Sequence, residues 1–319
     1  MSESTTAPTS PSTARWTAPE ASQGLYADRA LLIATGLAAF VIVLMLAIIL
    51  GDALVHGAAR LSWDFLTKAP SGGMEGGGVG PAIFGTAALT LVMTVAVVPV
   101  GVITAIYLSE YAANDSHVAR LVRLAVANLA GVPSIVFGLF GLGFFVQTIG
   151  RSIDNVAFHG VVTYGQPGLI WAAFTLAILT LPVVIVATEE ALRSVPRSLR
   201  DASLALGASK LQTTFLIVVP QALPGILTGA ILAVSRGAGE VAPILFTGAA
   251  YFLAELPTHL NDQFMHLGYH VYVLATQSPN IDRTKPILYG SVLVLLGLTF
   301  TLNLLAVVIR TRARRGPRA

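Results

Sequence analysis

Six stretches of this chain run without a single Asp, Glu, Lys or Arg: Leu31–Leu50, Pro81–Ser109, Leu124–Gly150, Val161–Thr188, Leu211–Ser235 and Pro286–Ile309. A helix needs about 20 mostly apolar residues to cross the hydrocarbon core of a bilayer. The pattern therefore predicts an all-α integral membrane protein with six transmembrane helices. A lipid-facing β-barrel would show alternating segments of about 10 residues, whereas these are longer and continuously apolar. Pro99 falls inside the second stretch and predicts a kink or break there, because proline removes a backbone donor. The fifth stretch is expected to run on past two charges towards Phe246.

Composition agrees with the pattern. Of 319 residues, 55% are hydrophobic and 11% charged, against about 25% charged in an ordinary soluble domain. Such a chain lacks the charge to coat a water-facing surface, which excludes a soluble enzyme. There is no cysteine, so thiolate metal sites, disulfides and thiol nucleophiles are excluded. A net charge of +3, spread thinly, does not describe a nucleic-acid-binding surface.

Lys and Arg between the spans set the orientation, since cytoplasmic connections carry the excess. With the N-terminus inside, the inner segments hold Arg15, Arg29, Arg120, Arg123, Arg193, Arg197, Arg200, Lys210, Arg310, Arg312, Arg314, Arg315 and Arg318. The outer segments hold only Arg60, Lys68, Arg151, Arg283 and Lys285. Both termini are thus expected in the cytoplasm. Residues 1–28, rich in Ser, Thr, Pro and Ala, lack the apolar core of a signal peptide and read as a disordered tail. Residues 312–319 read as a basic tail.

The exterior connections carry little chemistry. Trp63 is expected at the membrane interface. The run Ser71–Gly80 is glycine-rich, but no Gly-Lys dipeptide occurs in the chain, so it is not a phosphate-binding P-loop. It reads as a flexible lead-in to the second helix. His259, His266 and His270 lie in the last exterior stretch. The i, i+4 spacing of the latter two is that of a metal pair, yet no third ligand stands out; ordinary solvated histidines are preferred and no metal site is assigned.

The interior connection Glu189–Lys210 differs. Ser198 is a candidate N-cap with Asp201 in the first turn, Leu199, Leu204 and Leu206 supply apolar surface, and Gly207 is a candidate stop. Ser209 is placed to cap the following helix. A short cytoplasmic helix gains little from propensity alone, and this chain offers no second domain for it to dock against. A partner protein is the economical explanation.

Arg236 and Glu240 stand near the end of the fifth stretch. A charge near the bilayer centre costs ~2.5–3.5 kcal/mol on insertion scales. At i, i+4 on a helix the two would share a face and pair. Gly237 and Gly239 leave the neighbourhood open, and Pro243 would loosen the helix by failing to donate to Gly239. One reading is a buried ion pair fixing register; the other is an anion path, since guanidinium matches an oxyanion through two parallel hydrogen bonds. The glycines Gly131, Gly138, Gly141 and Gly143, with Pro133, read as packing or hinge positions. Asn128 and Asn303 read as interhelical hydrogen-bonding groups.

The interior loop resembles the signature of ABC importer permeases: Glu-Ala-Ala, three residues, Gly, nine residues, Ile, one residue, Leu-Pro. Here Asp201-Ala202-Ser203, Gly207, Ile217 and Val219-Pro220 keep the spacing, with Asp for Glu, Ser for Ala and Val for Leu. Gly80–Thr86, Ile106–Tyr111, Gly131–Gly138 and Glu189–Pro196 are similar to the PstA-like phosphate permeases. So is Ser235-Arg236-Gly237-Ala238-Gly239-Glu240-Val241-Ala242-Pro243, where the family usually has Ser/Ala-Arg-Ala-Ile-Gly-Glu-Thr-Ala-Pro.

The resemblance covers residues 30–311. It implies a type I ABC importer permease fold, with its core at about 81–309 and a coupling loop at about 189–220. It also implies a coupling helix of Arg197, Ser198, Leu199, Arg200, Asp201, Ala202, Ser203, Leu204, Ala205, Leu206, Gly207 and Ala208, and a translocation path holding Arg236; the residues themselves add Glu240 to that path and a helix break at Pro243. The implied partners are a PstC-like permease, two copies of a PstB-like ATPase that uses ATP and Mg, and a PstS-like exterior phosphate-binding protein. The chain itself would bind no cofactor and catalyse nothing, and would sit in a bacterial plasma membrane. A permease for molybdate or sulfate is the near alternative. A stand-alone secondary transporter is disfavoured by the coupling loop and the lack of an inverted repeat. A membrane-embedded hydrolase would need paired acids, or His with Ser, within the membrane.

Overall fold

The computed structural model describes residues 21–72, 75–113 and 116–314. Among them, six helices are long and apolar enough to cross a membrane. The chain divides into two units, ending and beginning at Asp52 and Ala53.

The first unit is one helix, α1 (Ala21–Gly57, which continues into the second unit). Leu31, Ile33, Phe40, Val43, Leu46 and Ile49 are all exposed, as suits a helix solvated by lipid. It begins at Ala21, inside the segment expected to be tail; residues 1–20 of that segment lie outside the described residues.

In the second unit α1 ends, and α2 (Trp63–Thr67) follows, capped by Ser62, which accepts a hydrogen bond from the Phe65 amide. Trp63 is exposed. The glycine-rich run is not a loose tether. Pro70–Ser71 (β1) and Gly76–Gly77 (β2) pair antiparallel, and Gly78 and Gly80 press against the carbonyls of Phe65 and Thr67. Glycine is required because backbone meets backbone there.

α3 (Gly80–Ile106) passes through Pro99 unbroken and widens into a π-helical turn at Tyr107–Tyr111. The expected break at Pro99 is absent. The freed carbonyl belongs to Val95, on an exposed part of the helix, and one missing bond is tolerated in a transmembrane helix.

The third stretch is not one helix. α4 (His117–Ala130) is amphipathic, ends at Gly131, and is followed by α5 (Ser134–Phe140), a wide π-helical segment Gly141–Gly150, and α6 (Arg151–Ala157). The span is Ser134–Ala157. Pro133 forces the preceding residue out of helical geometry. Residues 124–130 are free of charge only because Arg120 and Arg123 have already supplied the polar positions of α4.

The fourth span also starts later than expected. α7 (Leu169–Arg193) begins after a loop held by Asp154, whose carboxylate accepts from the Thr163, Tyr164 and Gly165 amides at 3.0, 2.7 and 2.6 Å. α8 (Arg197–Ala205) and α9 (Lys210–Gln212) follow. A third π-helical segment, Thr213–Val218, then leads into α10 (Val219–Gly237). Ala249–Ala250 (β3) pairs parallel with Phe264–Met265 (β4), before α11 (Leu267–Thr276) and α12 (Ile281–Arg314). α12 takes in the first residues of the expected basic tail; residues 315–319 are outside the described residues.

α7 is the centre of the second unit, with Trp171, Leu176, Val184, Ile185 and Leu192 buried. Helices in lipid gain no hydrophobic drive from each other, so association rests on close packing of small residues. Gly225 and Gly229 of α10 face Ala191 and Ala187 of α7, and Gly101 of α3 faces Val184. A β-carbon on Gly225 would lie 2.4 Å from that of Ala191. The buried hydroxyls of Thr86, Thr90, Thr175 and Thr180 donate to carbonyls one turn back in their own helices, so they enter the core already satisfied.

Candidate functional site

The Arg236–Glu240 segment is built by the end of α10, which stops at Gly237 rather than running on towards Phe246 as expected. Two glycines in three residues have the lowest helix propensity short of proline, and they end the helix before proline can. Arg236 and Glu240 therefore do not share a helical face. A turn through Ala238 and Gly239 brings the carboxylate back, with Arg236 Nε 3.6 Å from Glu240 Oε1. That distance is an ion pair but too long for a hydrogen bond. The Arg236 side chain remains 45% exposed and Glu240 23%.

The segment is seated from behind. A β-carbon on Gly237 would stand 2.3 Å from Met93 Sδ of α3. Further on, a β-carbon on Gly138 of α5 would meet the carbonyl oxygens of Pro243 and Ala242 at 3.0 and 3.1 Å. Gly141 likewise faces Thr175 and Thr247, so these two glycines are packing positions as expected. Pro243 is buried and lies in the turn-rich stretch after the helix, not within it. Beside Arg236, the Ser235 hydroxyl lies within hydrogen-bond reach of both Asn303 Oδ1 of α12 and the Ile231 carbonyl, which gives Asn303 the interhelical role expected of it. Asn128 sits in the last turn of α4, its carbonyl bonded to the Gly131 amide.

The histidines are placed differently from the expectation. His259 is exposed and faces Asp262 at 3.7 Å. His266 and His270, expected to be solvated, are 0% and 1% exposed, because α11 packs into the core around Met265 and Leu267. Among the described residues no group of three His, Asp or Glu could hold a metal ion.

The second candidate site is α8, spanning Arg197 to Ala205 of the expected 197–208 helix. Its N-cap is Pro196, with no side-chain cap, and not Ser198; the extended geometry of Pro196 already turns the chain into the helix. At the other end Gly207 adopts φ +89°. The amides of Gly207 and Ala208 bond back to the carbonyls of Leu204 and Ser203, a Schellman closure that needs glycine. Ser209 forms a capping box with Gln212. No residue of α8 is buried, and Leu199, Leu204 and Leu206 are exposed.

Residues 97–316 match the family of binding-protein-dependent transport system inner membrane components. The chain belongs to this family. As a binding-protein-dependent permease it is a multi-pass membrane transport subunit of an ABC system, which works with a second permease, an ATPase and a binding protein. It is 37% identical over 245 residues to the phosphate transport system permease protein PstA 1 of Mycobacterium tuberculosis, covering 76% of this chain and 73% of that one. It is 34% identical over 249 residues to the phosphate transport system permease protein PstA of Haemophilus influenzae, covering 78% and 81%. A probable ABC transporter permease protein of Bacillus subtilis, YqgI, is 35% identical over 212 residues, covering 66% and 67%. Among solved structures, a bacterial alginate ABC transporter has a TM-score of 0.63 at 16% identity over 91% of this chain and 96% of the other. The methionine ABC transporter MetNI, in an inward-facing form, has a TM-score of 0.57 at 19% identity over 74% and 95%. These two establish the type I permease fold.

Two carboxylates of this permease, Glu110 and Glu189, carry no role in the sequence reading. Arg123 Nη2 donates to Glu189 Oε1 at 3.1 Å and to the Leu108 carbonyl at 2.7 Å. Glu110 receives Arg200 of α8. Their signal was visible only as charge at the ends of apolar stretches, because the partners are 66 and 90 residues apart.

Proposed function

We propose that this chain is the membrane-spanning permease subunit of an ATP-driven inorganic phosphate importer, with Arg236 in the translocation path. The observation that carries it is the exposed guanidinium at the broken end of α10, held by Glu240 only at 3.6 Å. Two PstA relatives of the quality above support phosphate as the cargo. The planar fork of Arg236 matches a phosphate oxyanion through parallel hydrogen bonds. Glu240 repels the same anion, so binding stays weak, and weak binding suits a conduit that must release its cargo. Pro243 and the glycines around Arg236 hold this backbone in turns instead of helix, which is tolerated at membrane depth only against protein or a watery cavity.

In this reading α8 docks, through Leu199 and Leu204, on one of two PstB-like ATPase subunits, which bind the ATP and Mg. A PstC-like permease completes the path, and a PstS-like protein delivers phosphate from outside. Both termini lie in the cytoplasm of a bacterial inner membrane.

The test is labelled phosphate uptake by cells lacking this gene, complemented with wild type or Arg236→Gln, with sulfate and molybdate as competitors. Phosphate-selective uptake by wild type, and its loss in Arg236→Gln at equal membrane levels, is the expected result. Full competition by sulfate or molybdate would refute the cargo; undiminished uptake by Arg236→Gln would remove Arg236 from the path.

A further inference from the structure

Not every side chain of the α8 helix faces outward. Arg200 is 18% exposed, and its whole guanidinium is committed. Nε and Nη2 reach the two oxygens of Glu110 at 3.3 and 2.8 Å. Nη1 donates to the Val195 carbonyl at 2.6 Å, and Nη2 also to the Leu192 carbonyl at 2.8 Å. Glu110 is 10% exposed and sits in the π-helical turn that ends the second span. Leu192 lies in the last turn of α7, the fourth span, and Val195 just beyond it. Ser203, further along α8, shares a 2.9 Å hydrogen bond with Thr213, at the start of the fifth span.

We infer that Arg200 and Glu110 are the positioning pair that transmits displacement of the α8 helix to the second and fourth spans. A two-point arginine–carboxylate pair fixes orientation as well as distance. A single ammonium on a flexible stem would not. The two carbonyls added by the end of α7 make the joint three-sided, so α8 moves with both span ends instead of swinging about its connections. The body it moves continues to the transport segment. α7 packs tightly on α3 through Gly101 and on α10 through Gly225 and Gly229, and Gly237, next to Arg236, rests on Met93 of α3. The outward leucines and the inward arginine thus divide the work: Leu199 and Leu204 meet the partner, while Arg200 carries the motion inward.

The inference rests on the reading of α8 as the ATPase-docking helix, and its test keeps the two apart. The whole importer, with its ATPase and binding protein, is reconstituted in proteoliposomes. ATP hydrolysis and uptake of labelled inorganic phosphate are measured together. Glu110→Gln keeps one acceptor and the shape but loses the charge; Arg200→Lys keeps the charge but loses the fork. Both are expected to leave ATPase association intact and to lower phosphate moved per ATP about tenfold, within the usual range of coupling between sites. Leu204→Ala, on the outward face, is expected to weaken ATPase association with the ratio unchanged. An unchanged ratio in both pair variants, or equal losses of hydrolysis and uptake in both, would overturn the inference. Wild type without ATP-dependent uptake would instead overturn the underlying assignment.

Discussion

Arg236 was legible in the sequence because a charge beside an apolar stretch is costly to place there. Its geometry was not, because the i, i+4 argument assumed a helix that Gly237 ends. His266 and His270 show the opposite case, in which spacing suggested chemistry and packing decided otherwise. Burial pushes both imidazoles down to about pKa 4, from an ordinary value of 6.5. His266 also accepts the Gly268 amide at 3.2 Å through Nδ1, which requires that nitrogen to be unprotonated. A depressed histidine stabilises the fold fully above pH 6.5, and that contribution is lost as pH falls from 6.5 towards 4. Thermal unfolding of the detergent-solubilised protein should therefore shift to lower temperature across that window. His270→Leu, which replaces a buried ring by an apolar group, should flatten the dependence; an unchanged slope would show that other groups set it. At the exposed end, Asp262 is held below the usual carboxylate range, chiefly by the His259 and Thr258 amides.

Elements were legible where one physical signal dominated. Continuous apolarity found α1, α3, α10 and α12 to within a few turns, and Gly207 and Ser209 marked the end of α8 and the start of α9. The signal failed where two competed. In the third stretch, charge-free residues ran across a boundary that Gly131 and Pro133 create, so an amphipathic helix and a span read as one. Pro99 erred the other way: its local cost is real, but α3 is held on both sides of it by buried packing at Met93, Val97 and Ala105. The α7–α10 contact was not anticipated, since small residues four apart mean nothing until the facing helix is known. Gly225→Val or Gly229→Val should each lower the unfolding free energy by about 1–3 kcal/mol, the usual cost of overpacking. Reduced membrane levels and a lower melting temperature would register it, whereas wild-type stability in both would show that the two helices do not rely on close approach there.

For the whole molecule, the excess of Lys and Arg on one set of connections predicts which loops face the cytoplasm. The absence of cysteine makes the test direct. A single cysteine at Leu206 should react with an impermeant maleimide only after cells are opened, and one at Leu256 should react in intact cells. The reverse pattern would invert the topology. The sequence by itself determined that the chain crosses a membrane, how many times, and that its 189–220 loop follows the importer-permease spacing. These depend on local composition and on intervals along one chain. Only the tertiary structure decided where α10 stops relative to its charges, that α11 buries its histidines, and that Arg200 reaches Glu110. The last two depend on residues far apart in sequence meeting within a few ångströms, and no local period encodes such a meeting; the first turns on whether the glycines or Pro243 end the helix, which local propensity leaves open.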